Sequence, residues 1–430
     1  MFAILRNRDF GLLWLAGLVS LAGSRALIIA LPLHIYRLTD STLATAAALA
    51  ASFLPGILIG SIAGVFVDRW DRKTTMVVAN IAQAAVLLPV LAAPDNLVLL
   101  YAVAAALGTI GLFFSPAESA FLPTLVGKEK LVAANAMNAF NDNLAMLIGP
   151  AIGALLYAEV GFASAAIFDA ATFVGSAILI SMIAADGRPE RAPEAVTGGS
   201  PMARVAADWR AGMRVVRRNQ SLIVLLAALT LSGIANGVFM TLGLAPLVLD
   251  VLGGTPAQVG WLATAQAVGG ITAGLIVVRI GHRFTKRWLL GGGMIGLGIA
   301  DLGSFNAHRI AAAGTPSVGV AMGWMVVAGF PAVASVTGRQ SLVQEQTTDA
   351  YRGRVFGTLS SAHGLALLVG FAAGGVLGDA IGLVPVLSAS AGVRVLGGLV
   401  ALGFLPRRGN ARQPDTEATR HDRDGQQPAT

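Results

Sequence analysis

LATAAALAASFLPGILIGSIAGVFVDRWDRK, residues 43–73, decides the fold. Its first 25 residues carry no charge. At about 1.5 Å per residue, a helix of that length reaches past the roughly 30 Å of hydrocarbon in a bilayer. The stretch then breaks into Asp68-Arg69-Trp70-Asp71-Arg72-Lys73, and a new apolar run opens just beyond it. Two apolar spans joined by a very short charged turn make a hairpin that crosses a membrane twice.

The same pattern recurs along the chain. Spans are expected at 11–36, 43–67, 74–92, 97–115, 137–158, 162–185, 220–249, 257–278, 288–306, 316–338, 354–377 and 383–405. This predicts an all-α integral membrane protein. Composition agrees: 55% of the 430 residues are hydrophobic and 12% are charged, against about 25% charged in soluble domains. Mean hydropathy is +0.72. The 52 glycines suit helices packed closely in lipid. Cysteine is absent, which removes disulfides, thiolate metal sites and cysteine catalysis. The first span is too long for a cleavable signal.

Lysine and arginine sort by side. Twenty-six fall on the face that holds both termini, the central linker and alternate loops; only Arg37 and Arg309 fall on the other. Arg25 and Arg394 lie inside spans. Such a split places both termini in the cytoplasm and requires an even number of crossings of the cytoplasmic (inner) membrane. It also accounts for the net charge of +7 without nucleic acid, since basic loops on that face meet anionic lipid.

The spans divide into a six-helix half over 1–185 and another over 220–405. Between them lies the linker 186–219: a Pro/Gly-rich flexible part, then a basic amphipathic helix expected on the membrane surface. The tail, 406–430, is polar and expected to be disordered. Gly149, Gly153 and Gly161 match Gly370, Gly374 and Gly382 at a constant offset of 221. Gly64 and Arg69 match Gly274 and Arg279 at 210. Two similar halves holding a substrate between them near midplane are what a rocking transporter needs.

In the turn of the first hairpin, Gly64 removes bulk where a neighbouring helix would press. Asp68 can pair with Arg69 or Arg72, or face the positive end of a helix from the other half. Lys73 completes the basic cluster. Contacts of this kind break when the halves tilt, which predicts a gate. The segment Gly60–Lys73 resembles the signature loop of the major facilitator superfamily, and the resemblance runs over residues 6–405. Arg8-Asp9-Phe10, Ala30-Leu31-Pro32, Thr39-Asp40-Ser41, Ser115-Pro116-Ala117-Glu118, Ala134-Asn135-Ala136-Met137-Asn138, Phe168-Asp169-Ala170, Gln344-Glu345-Gln346-Thr347 and Arg352-Gly353-Arg354-Val355 are similar to the branch that contains enterobactin exporters and macrolide efflux pumps. The resemblance implies two six-helix pseudo-symmetric halves, with spans 1, 2, 4, 5, 7, 8, 10 and 11 lining the cavity. Two departures stand out. Val278 replaces the acid in the second copy of the loop, and Ser24-Arg25 stands where the branch has an acidic residue.

Ala145–Ala154, with Gly149, Pro150 and Gly153, resembles a motif of drug/proton antiporters and implies export. Ionisable groups at membrane depth mark function by default. Asp142 is the first candidate for proton coupling, with Arg25 and His363 behind it. Glu118 is expected to pair with Arg69 or Arg72 in the gate. Asp169, Asp301 and Arg394, on peripheral spans, are expected to serve structural pairing. Asn236, Phe239, Met240, Gln266, Trp324 and Met325 are the expected cavity contacts, suited to a large apolar ligand.

These readings predict a secondary active transporter, exporting a hydrophobic or amphipathic small molecule (a drug, antibiotic or siderophore) against protons. It is expected to be a monomer with no cofactor and no metal. No phosphate-binding loop for ATP is present in the sequence. Import of a nutrient or lipid on the same fold is the alternative. A membrane-embedded enzyme is a distant third, since five histidines and no cysteine form no catalytic cluster in the sequence.

Overall fold

A computed structural model describes residues 2–67, 69–188, 201–347 and 349–406. Among them, twelve helices are long and apolar enough to cross a membrane. In the first half these are α1 (Arg8–Thr39), α2 (Thr42–Val67), α3 (Arg72–Ala92), α4 (Leu97–Val126), α5 (Leu131–Val160) and α6 (Phe162–Ser181). A linker helix, α7 (Pro201–Arg218), precedes the second half. There the spans are α8 (Gln220–Leu242), α9 (Pro256–Ile280), α10 (Lys286–Phe305), α12 (Ser317–Gln346), α13 (Asp349–Ile381) and α14 (Leu383–Phe404); α11 (Ala307–Ile310) is a single turn. No strand occurs among the described residues.

The helices begin and end where local chemistry dictates. The Asn7 side chain accepts from the Phe10 N–H and starts α1; Asp40, in the left-handed region at φ 48°, ends it. The Asp71 side chain accepts from the Thr74 N–H at 2.7 Å and starts α3. So Asp71 of the charged turn is a helix cap, and Arg72 and Lys73 open the next helix.

The two halves repeat each other. In the first, α1 packs on α5 and α6, α2 on α4, and α3 on α4 and α6; in the second, α8 packs on α13 and α14, α9 on α12, and α10 on α12 and α14. The glycine triplets sit at equivalent places. A Cβ at Gly149 or Gly153 would lie 2.8 and 2.2 Å from the Ala22 and Ala26 carbonyl oxygens of α1. One at Gly370 would lie 2.3 Å from the Ile234 carbonyl oxygen of α8. Gly161 and Gly382 close α5 and α13 at φ +96° and +93°, a conformation that favours glycine.

The halves meet along α2–α13 and α5–α9. The end carrying Arg8, Lys73 and α7 is called the basic end here. At the opposite end the halves are latched. Asp379 of α13 accepts from the Thr42 N–H at 3.0 Å, the Thr42 hydroxyl at 2.8 Å, the Ser41 hydroxyl at 3.1 Å and the Leu43 N–H at 3.4 Å. It thus caps the first turn of α2 from across the interface. The Tyr36 hydroxyl donates to Asp250. Deeper in, the Thr264 hydroxyl donates to the Leu147 carbonyl oxygen at 3.1 Å, and Phe53 meets Phe371.

Four expectations change. Helix α4 runs to Val126 and α5 starts at Leu131, not at 115 and 137. Helix α12 runs to Gln346 and α13 starts at Asp349, not at 338 and 354. Both pairs continue past the hydrocarbon, where hydropathy falls but the backbone ladder does not. The seventh span ends at Leu242, before a turn at Gly243–Leu244, short of the expected 249. Finally, α7 docks on α13: Val216 is fully buried, and a Cβ at Gly212 would lie 2.2 Å from the Thr358 hydroxyl. The tail beyond 406 and the linker over 189–200 lie outside the described residues.

Candidate functional site

Two adjoining cavities occupy the centre. The first, of about 290 Å³, lies between the halves. Its walls are Arg25, Ile29 and Leu33 of α1, Leu49 and Phe53 of α2, Met146 and Pro150 of α5, and Val259 and Ala263 of α9. The second, of about 440 Å³, lies inside the second half and is lined by Ser232 and Asn236 of α8, Ser335 and Arg339 of α12, His363 of α13, and Asp301 and Arg394. Phe239, Met240 and Gln266 line both. Four of the six expected cavity contacts are therefore on these walls. The other two are not. The Trp324 ring covers Gly303 of α10, where a Cβ would lie 2.3 Å from it, and Met325 is buried in the core. Around Trp324, over residues 318–334, α12 is apolar on every side, so that stretch does not say which side faces the ligand.

Gly149, Pro150 and Gly153 position the first cavity. The two glycines let α5 press on α1 at Ala22–Ala26, with Gly149 against Arg25. The Pro150 carbonyl would lie 2.2 Å from a Cβ at Gly260 of α9. One short segment thus holds α1 on one side and the other half on the other.

Asp142 is exposed and stands one turn before Met146, which lines the first cavity. Arg25 is within its electrostatic reach. Glu118 is half-buried; it accepts from Asn138 Nδ2 at 3.2 Å and feels Asp142. This corrects the expected partners of Glu118: it faces Asn138 and Asp142 instead of Arg69 or Arg72. The reason is the length of α4, which carries Glu118 two turns back from the basic end. His363 Nδ1 lies 3.0 Å from the Leu229 carbonyl oxygen. A carbonyl only accepts, so Nδ1 carries the proton and Nε2 is left for other partners.

The described part of the charged turn is tied to its own half. Lys73 Nζ donates to the Ile183 carbonyl oxygen at 2.6 Å, and the Arg72 N–H to that of Gly187 at 2.9 Å. Arg69 lines a groove beside Trp70 and Phe113. Asp68 lies outside the described residues, and so do the surroundings of Gly64. Of the peripheral charges, Arg394 Nε sits 3.0 Å from Asp301 Oδ2, an ionic contact without a well-aligned hydrogen bond, and both are buried. Asp169 is fully buried with no cation within ion-pair distance among the described residues; its neighbour is the Thr172 hydroxyl at 3.4 Å, which corrects the expected ion pair.

Two features escaped the sequence. Asp379 falls just past the expected span 354–377, in the short loop before 383, where nothing marks it. Arg339 read as part of a basic loop, although Ala332, Ser335, Val336 and Arg339 fall at helical spacing and share a cavity wall.

Comparison with known proteins agrees with this architecture. Macrolide efflux protein A of Streptococcus pyogenes is 27% identical over 382 residues, 87% of this chain and 90% of that protein. Enterobactin exporter EntS of Shigella flexneri is 27% identical over 425 residues, 96% of this chain and 95% of that protein. The crystal structure of a bacterial homologue of the human lysosomal transporter Spinster superposes with a TM-score of 0.70 at 14% identity, over 92% of this chain and 96% of that one. The family profile described as transmembrane secretion effector matches residues 1–424. The chain belongs to that family of major facilitator transporters and is a multi-pass membrane transporter, not an enzyme.

Proposed function

We propose that this chain is a proton-coupled exporter of a hydrophobic or amphipathic small molecule: a drug, an antibiotic or a siderophore. The observation that carries the reading is an acidic pair, Asp142 with Glu118, beside Arg25 at the edge of a cavity built by both halves. Asp142 takes up and releases the coupling proton as the cavity changes sides, with Arg25 as its charged partner; His363 is the other candidate carrier. The named activities of the two relatives support the outward direction, as does the Gly149-Pro150-Gly153 segment. The excess of Lys and Arg puts the basic end in the cytoplasm, with both termini, so the latch at Asp379 closes the outer face. Gly64, Asp68, Arg69, Arg72 and Lys73 form the inner gate. The protein acts as a monomer, with no cofactor and no nucleic-acid partner.

Whole-cell accumulation of erythromycin, enterobactin and ethidium, with and without an uncoupler, tests this. Expression should lower accumulation of at least one compound, and both the uncoupler and Asp142→Asn should abolish the effect. Raised accumulation would instead identify an importer. Asp68→Asn should also stop export; undiminished export in that variant would remove the gate from the account.

A further inference from the structure

We propose that the cavity inside the second half is an anion site, and that the exported molecule is an amphipathic organic anion with its head on Arg339. This rests on the transport reading and names the substrate class it leaves open.

The charges are unequal. The two cavities are lined by Arg25, Arg339 and Arg394, against one carboxylate, Asp301. Asp301 is in contact with Arg394, and Arg25 has Asp142 in reach. Arg339 has no carboxylate within ion-pair distance among the described residues. An uncompensated guanidinium on the wall of a largely enclosed cavity is costly, and an anionic ligand offsets that cost.

The repeat sharpens the point. The offset of 221 that relates Gly149 to Gly370 also relates Asp142 to His363 and Glu118 to Arg339. Helices α4 and α5 of the first half are the counterparts of α12 and α13 in the second. So where the first half holds two acids, the second half holds two bases at equivalent positions. The acidic pair suits a cation, the proton; the basic pair suits an anion. His363, like Arg339, lines the second cavity.

The shape completes the case. Phe239, Met240 and Gln266 are shared walls, so the cationic compartment opens onto the apolar one. At about 440 and 290 Å³ they suit a drug-sized molecule with one charged end. A planar guanidinium matches a carboxylate, sulfonate or phosphate with two parallel hydrogen bonds.

Three probes that differ only in the head test this: 4-phenylbutyrate, 4-phenylbutylamine and 4-phenylbutanol. Binding is measured by calorimetry on the full-length protein in lipid nanodiscs. The acid should bind roughly tenfold more tightly than the amine or the alcohol, the scale of one charge-assisted hydrogen bond. Arg339→Gln should remove that advantage and leave the alcohol unchanged, while Arg339→Lys restores part of it. An amine or alcohol that binds as tightly as the acid, or an acid affinity unmoved by Arg339→Gln, overturns the proposal. The ranking in the unmutated protein decides the matter even if Arg339→Gln fails to fold. The same probes in the accumulation assay separate the two readings. Export of the amine alone sinks the anion site and leaves export standing. The predicted binding order without export sinks the transport reading alone.

Discussion

Replacing Asp379 by alanine should open the latched end, which is the outer face in the proposed orientation. The carboxylate accepts four hydrogen bonds from Ser41, Thr42 and Leu43, at 2.8 to 3.4 Å. It is an exposed group, so each bond is worth far less than a buried charge-assisted one. Its role matches an N-cap, worth about 1 kcal/mol, reinforced by a helix-dipole contribution of about 0.3–1 kcal/mol. A latch of about 1–2 kcal/mol corresponds to a roughly 5- to 30-fold change in the ratio of the two states. Asp379→Asn keeps an acceptor and loses the charge, so it should fall between wild type and alanine. The chain has no cysteine, so Val98→Cys and Ala312→Cys, both at exposed positions on this end, give a unique pair of spin labels, one on each half. Pulsed dipolar spectroscopy then reads the distance between them. The long-distance population should grow in the order wild type, Asn, Ala. Identical distributions in all three would show that Asp379 does not hold the halves together.

Other perturbations have defined outcomes. Gly153→Ala would put a Cβ 2.2 Å from a backbone oxygen of α1 and should cost about 1–3 kcal/mol of stability, read as a lower unfolding midpoint. Gly392→Ala, with open space around it, should leave the midpoint unchanged. Arg394→Leu leaves Asp301 buried without its partner and should cost about 3–5 kcal/mol, most of it recovered in the double variant with Asp301→Leu. In transport, Asp142→Asn should abolish coupling to the proton gradient but leave binding of 4-phenylbutyrate intact, because the anion head sits on the other half.

The sequence shows twelve spans, two halves and their repeat. Hydropathy marks the spans, and the glycine triplets mark equivalent helix crossings and helix ends. Asn236, Phe239 and Met240 of α8 and Gln266 of α9 were expected at the cavity, and the structure places them on its walls. What hydropathy cannot read is a helix that continues beyond the hydrocarbon. That is why Arg339 looked like a loop residue and why Glu118 looked close enough to Arg69 and Arg72 to pair. Trp324 and Met325 were misread for a related reason: on an all-apolar stretch of helix, only packing against α10 chooses the face. The Asp379 latch depends on two segments more than 330 residues apart, so no local pattern announces it.

The claim at the centre is outward movement in exchange for protons. Everted membrane vesicles with an acidified interior present the cytoplasmic face to the medium. With wild-type protein they should accumulate a macrolide, a catecholate siderophore or 4-phenylbutyrate, and release protons as they do so. Vesicles carrying Asp142→Asn should do neither. Accumulation that persists after the proton gradient is collapsed, or that occurs only in right-side-out vesicles, would contradict the account.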